Sequence, residues 1–91
     1  MIQETLSICQ FRLQLTRYCR AVKLSKKELV VTYNGSPLFK VVKLSGNDNY
    51  LKSSLTNTRD HMSDFVDLIE GQEKIILTAH HKPLVKCELI K

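Results

Sequence analysis

Two stretches of this 91-residue chain repeat each other at a nearly fixed offset, and that repeat limits the folds open to it. The run Leu29-Val30-Val31-Thr32-Tyr33-Asn34-Gly35-Ser36-Pro37-Leu38-Phe39-Lys40 returns 46 residues later as Ile75-Ile76-Leu77-Thr78-Ala79-His80-His81-Lys82-Pro83-Leu84-Val85-Lys86. Thr32, Pro37, Leu38 and Lys40 recur as Thr78, Pro83, Leu84 and Lys86. Upstream the offset is 47: Arg12 matches Arg59, and Leu15, Tyr18, Cys19 and Val22 face Met62, Phe65, Val66 and Ile69. Few positions are identical, but the order of pattern elements is the same in both halves.

Each half reads as a short strand, a helix, a strand, a turn and a strand. Thr5 to Ile8 is a weak first strand. Over residues 10–24, Phe11, Leu15, Tyr18, Cys19 and Val22 fall within an arc of about 100° on a 3.6-residue wheel, which predicts an amphipathic helix. Leu29 to Tyr33 is β-branched and apolar, Asn34-Gly35 is a hairpin signal, and Leu38 to Leu44 completes the pair with Pro37 at its first position. The second half repeats this as Ser53 to Leu55, a helix over 57–70 capped by Gly71, and strands Lys74 to Thr78 and Leu84 to Ile90. The stretch 45–51 is the linker between repeats 1–44 and 52–91.

Units of about 45 residues rarely bury enough apolar surface to offset chain entropy. The predicted fold is therefore α+β, with two pseudo-symmetric β-α-β-β units packed as an intrachain pseudo-dimer in one domain, 1–91. Phe39, Val41, Val85 and Cys87 share one strand face and supply core beneath the helices. No apolar run approaches membrane-spanning length and no leader pattern opens the chain. Three cysteines (Cys9, Cys19, Cys87), with no CxxC spacing, argue against a disulfide framework and for a reducing, cytoplasmic setting.

Charge divides the halves. Residues 1–44 hold eight basic and two acidic side chains, whereas residues 45–91 hold six basic and seven acidic ones. The first helix presents Arg12, Arg17, Arg20 and Lys23; the second presents Asp60, Asp64 and Asp67 opposite its apolar stripe, with Glu70 beyond them. Two solvated helix faces are one reading of this. The other gives the basic face a polyanion and the acidic face a basic partner or a second copy. A symmetric DNA-binding dimer would carry positive charge on both sides, so the lopsidedness also admits an acidic face that mimics nucleic acid.

Catalytic chemistry is not visible. His61 and Asp64 stand three apart on a helix, the spacing of a surface contact. Two adjacent imidazoles, His80 and His81, fall in a turn and cannot easily share one ion, so no metal or other cofactor is expected. Cys19 and Cys87 lie on apolar faces as buried thiols, and Tyr18 is better read as core than as a base-stacking ring. None of the three glycines sits in a phosphate-binding loop.

The stretch Thr58-Arg59-Asp60-His61-Met62-Ser63-Asp64-Phe65-Val66-Asp67-Leu68-Ile69-Glu70-Gly71-Gln72-Glu73, followed by Ile75-Ile76-Leu77-Thr78 and Lys82-Pro83, resembles the N-terminal domain of Phd/YefM antitoxins. Arg12, Leu15, Tyr18, Val22, Val30-Val31-Thr32 and Gly35-Ser36-Pro37 form a fainter second copy. The resemblance covers roughly residues 5–44 and 52–90. It implies a domain that binds operator DNA as a dimer, here a pseudo-dimer within one chain, with the family's helix-opening arginine falling on Arg12 and Arg59. The family glycine before Lys-Pro is Gly35 in one half and His81 in the other. The glycine after the helix is Gly71 but is absent near Leu24-Ser25, and Phe39 and Val85 replace a small residue. Because Lys91 follows directly on the last predicted strand, the toxin-neutralising tail is expected to be missing.

The leading expectation is thus a non-enzymatic, nucleic-acid-binding regulator, monomeric or homodimeric, that contacts DNA or a nucleic-acid-containing complex through Arg12, Arg17, Arg20, Lys23 and Arg59. The alternative is a phage-encoded inhibitor, an anti-CRISPR or other anti-defence protein, whose Asp60, Asp64 and Asp67 engage a basic protein surface. A third is an antitoxin whose tail comes from another chain. None of these involves a membrane.

Overall fold

The computed structural model describes residues 2–25, 27–44 and 50–90, which form a compact α+β domain of four helices on a six-stranded mixed sheet. Strand β1 (Ile2–Ser7) leads into helices α1 (Ile8–Leu13) and α2 (Leu15–Leu24), and β2 (Lys27–Tyr33) and β3 (Ser36–Val42) follow as a hairpin. The chain then runs through β4 (Leu51–Ser54), α3 (Leu55–Asp60), α4 (Met62–Gln72), β5 (Lys74–Ala79) and β6 (Lys82–Leu89). The sheet order is β1-β2-β3-β6-β5-β4. The two outer pairs, β1 with β2 and β4 with β5, are parallel and the three inner pairs are antiparallel. Of the expected linker 45–51, residues 45–49 lie outside the described residues and Leu51 opens β4.

One strand parity faces the helices. Leu6, Leu29, Val31, Phe39, Val41, Ile75, Leu77, Val85 and Cys87 are buried together with Phe11, Leu15, Cys19, Val22, Phe65 and Ile69 from the helices in a single cluster. Phe39 lies at its centre, edge-to-face with Phe11 (5.7 Å between ring centres) and with Phe65 (5.6 Å), so one ring ties together residues from both ends of the chain. Tyr18 packs against this cluster half-buried.

Each helical stretch is broken once. Gln14 and His61 adopt φ −130° with ψ 41° and 51°, and each separates a six-residue helix from a longer one. Their ψ is rotated by roughly 80–90° from the helical value, which re-aims the axis over the sheet. The single helices expected over 10–24 and 57–70 are therefore two segments apiece. Each starts earlier than expected, because a serine caps it. Ser7 Oγ accepts from the Gln10 amide while Gln10 Oε1 accepts from the Ser7 amide, a reciprocal capping box; Ser54 Oγ accepts from the Asn57 amide at 3.0 Å.

Helix α4 ends later than Gly71 suggests. Gly71 remains inside the helix, and Glu73 takes the left-handed cap at φ 69°. The position is fixed by β5: the Glu73 carbonyl accepts from the Leu89 amide at 2.7 Å, so the chain must reverse immediately before Lys74 pairs with Glu88. In both hairpins the ladder slips beside a proline, between Val31 and Thr32 opposite Pro37 and between Leu77 and Thr78 opposite Pro83. Proline has no amide to give the ladder, and a bulge absorbs the mismatch. Both turns use two positive-φ residues, Asn34 (53°) with Gly35 (82°) and His80 (52°) with His81 (64°). The first pair suits such a turn without strain, whereas the second holds two side chains in the left-handed region.

Candidate nucleic-acid interface

Because Leu15, Cys19 and Val22 face the sheet, the opposite side of α2 presents Arg17, Arg20 and Lys23 to solvent. None of these three cations forms an ion pair with a described residue, and all three remain available to a partner.

The α1–α3 junction brings the other two predicted contact residues together. Arg12 Nε donates to the Arg59 carbonyl at 3.0 Å. Arg17 and Arg59 also line one shallow pocket, together with Leu13, Gln14 and Thr56. The two arginines are not equivalent. Arg12 has no carboxylate partner among the described residues, while Arg59 Nε lies 3.4 Å from Asp60 Oδ1. Arg59 is thus partly neutralised at home, whereas Arg12, Arg17, Arg20 and Lys23 have no carboxylate partner among the described residues.

The far end of α2 has neighbours that helix periodicity alone does not indicate. Arg20, Lys23 and Leu24 line an open groove with His80, Lys82 and Pro83 from the β5–β6 turn. The groove is open to solvent and has a volume of about 480 Å³. Lys82 and His80 come from the other half of the chain. Only the strand order reveals that the β5–β6 turn reaches the end of α2.

The acidic residues divide at the helix break. Asp60 closes α3 beside Arg59, whereas Asp64 and Asp67 stand exposed on α4 with Glu70. The outward acidic row of α4 is therefore Asp64, Asp67 and Glu70. A straight helix would have added Asp60 to it; the turn at His61 removes it. His61 Nδ1 lies 3.9 Å from Asp64 Oδ2, with both side chains more than half exposed, which makes it a loose surface contact.

On the helix-free face of the sheet, Glu88 lies 3.7–3.9 Å from Lys40, Lys74 and Lys86, and Lys74 Nζ sits 5.3 Å above the Tyr50 ring. Behind α3, the Ser53 and Thr58 hydroxyls share a 2.8 Å hydrogen bond in the core. Of the three thiols Cys9 is exposed, while burial pushes the Cys19 thiol up to about 12 and raises Cys87 too, with neighbouring Cys19 adding to the shift. Among the described residues no three potential metal ligands cluster, and no helix is long and apolar enough to cross a membrane. No protein-family model, curated protein or solved structure matches the chain.

Proposed function

We propose that the chain is a non-enzymatic nucleic-acid-binding regulator built as an intrachain pseudo-dimer of two β-α-β-β units, similar in plan to a Phd/YefM-type antitoxin DNA-binding domain. The observation that carries this reading is the convergence of Arg12, Arg17 and Arg59 at the α1–α3 junction, continued along α2 by Arg20 and Lys23. Phosphate oxygens are met by such rows of uncommitted cations, and their helical spacing suits a curved backbone.

Several features support the two-unit plan. In the central strand pair Val41 lies opposite Cys87, its own counterpart at the 46-residue offset, and Lys40 lies opposite Glu88 while Val42 lies opposite Lys86. That is the register a twofold axis between β3 and β6 requires. The helix breaks at Gln14 and His61, the serine caps at Ser7 and Ser54, and the two proline-side bulges fall at matching places.

A filter-binding series with duplex DNA tests the function. Wild-type protein is expected to retain DNA at low salt, and Arg12→Ala with Arg59→Ala is expected to weaken retention. No retention at low salt, or retention indifferent to the double substitution, removes the proposal.

The outward row Asp64, Asp67 and Glu70 on α4 favours a second reading, an anti-defence inhibitor that docks this face on a basic protein surface. Under it, Asp64→Lys with Asp67→Lys is expected to abolish inhibition in a folded protein, and full inhibition by that variant excludes the surface.

A further inference from the structure

The exposed faces of α2 and α4 carry opposite charges in the same rhythm. On α2 they are Arg17, Arg20 and Lys23; on α4 they are Asp64, Asp67 and Glu70, all exposed, and among the described residues only Asp64 has a side-chain neighbour of this kind, the loose contact with the His61 imidazole. Both rows step by three residues, an axial advance of about 4.5 Å per step, so the charges match in spacing as well as in sign.

The topology also fixes how the rows run. Helix α2 lies between the parallel strands β1 and β2, and α4 with α3 lies between the parallel strands β4 and β5. Three antiparallel pairings separate β2 from β5, so those strands run in opposite directions, and the two helices oppose each other on the same side of the sheet.

We propose that two copies of this chain pair helix face to helix face, with the basic row of α2 in each copy seated on the acidic row of α4 in the other. A twofold axis parallel to the helices does this. It sets α2 antiparallel to the partner's α4 and aligns Arg17 with Glu70, Arg20 with Asp67 and Lys23 with Asp64, twice per dimer. A twofold axis across the helices would instead set α2 on α2 and α4 on α4, like charge on like, so the same residues that favour one arrangement disfavour the other. The contact closes on itself and does not propagate into a filament. It is held by exposed ion pairs, so it is weak and salt-sensitive. It goes beyond the nucleic-acid reading and competes with it, because the dimer covers the α2 face and the acidic row of α4 stands where phosphates would.

Sedimentation equilibrium without nucleic acid tests the pairing independently of any DNA binding. Wild-type protein is expected to dimerise at about 50 mM salt, with a dissociation constant that rises at least about tenfold by about 500 mM. Arg17→Glu/Arg20→Glu/Lys23→Glu and Asp64→Lys/Asp67→Lys/Glu70→Lys are each expected to be monomeric alone and to form a discrete one-to-one dimer when mixed. Should either triple variant prove unfolded by circular dichroism, Arg20→Glu and Asp67→Lys replace them in the same mixing experiment. Monomeric wild type at low salt, or folded variants that stay monomeric when mixed, overturns the proposal. Failure of DNA binding leaves it standing.

Discussion

Replacing Phe39 by alanine removes the ring on which both ends of the chain converge. Phe39 is fully buried on β3 and meets Phe11 of α1 and Phe65 of α4 edge-to-face at 5.7 and 5.6 Å. Truncating a buried phenylalanine costs about 3–5 kcal/mol, and each aromatic pair adds about 0.5–1.5 kcal/mol beyond its buried area. Two such pairs place Phe39→Ala towards the top of that range, about 4–5 kcal/mol. A chain of this length typically has a total stability of about 5–14 kcal/mol, so the variant retains little margin. Phe39→Leu keeps most of the volume and loses only the ring geometry, for about 1–2 kcal/mol. Urea unfolding followed by far-ultraviolet circular dichroism reads both, and a single cooperative transition is expected for each protein, because the core between helices and sheet is one cluster that includes Phe39. A loss below about 2 kcal/mol for the alanine variant, or two separated transitions, would refute the shared core.

Other outcomes follow from particular residues. One thiol of the native chain, Cys9, is expected to react with a disulfide reagent near pH 8, and all three in denaturant. Folding raises the pKa of both buried thiols above the ordinary value of 9.0, so the unfolded chain ionises first. Their contribution to stability is intact below pH 9 and is lost as pH rises towards 12, at up to about 1.4 kcal/mol per pH unit for each thiol. Cys19→Ala is expected to flatten that alkaline slope in urea titrations, and an unchanged slope would assign it to other groups. Ser7→Ala deletes one arm of the α1 capping box and is expected to cost about 1 kcal/mol, read as a shifted urea midpoint. His81→Gly relieves a left-handed side chain at φ 64° and is expected to stabilise the chain by about 0.5–1 kcal/mol, whereas destabilisation would show that the imidazole makes a contact worth more than the strain.

Much of the sheet and helix content was legible because it rests on periodicity. The β-branched runs at 29–33 and 75–78 are strands, and the apolar residues 11, 15, 19 and 22 all face the sheet. What periodicity cannot register is a change of axis. Gln14 and His61 are ordinary helix residues, with no proline or glycine to mark a break, and only the fit of two short segments against one sheet puts them there. The early helix starts were available in Ser7-Ile8-Cys9-Gln10, a serine followed three positions later by glutamine, but the same residues also read as the end of a strand. Gly71 misled for the opposite reason, since glycine is a frequent cap but β5 pairing decides where the helix stops.

The interface divides along the same line. The row Arg17, Arg20 and Lys23 is readable on a helical wheel, and the offset of 47 pairs Arg12 with Arg59. The Arg59–Asp60 contact is between sequence neighbours, whereas the hydrogen bond between Arg12 and Arg59 and the approach of Lys82 and His80 to α2 depend on tertiary placement. So does the separation of Asp60 from the acidic row of α4.

The most direct measurement is the salt dependence of binding to a short DNA duplex. Arg12, Arg17, Arg20 and Lys23, the four expected contact residues with no carboxylate partner among the described residues, give an expected slope of log affinity against log salt of about −3.6, at roughly 0.9 per phosphate. Arg17→Ala/Arg20→Ala/Lys23→Ala is expected to reduce it to about −0.9. Absence of binding at low salt, or a slope untouched by the triple substitution, would contradict a nucleic-acid interface on α2.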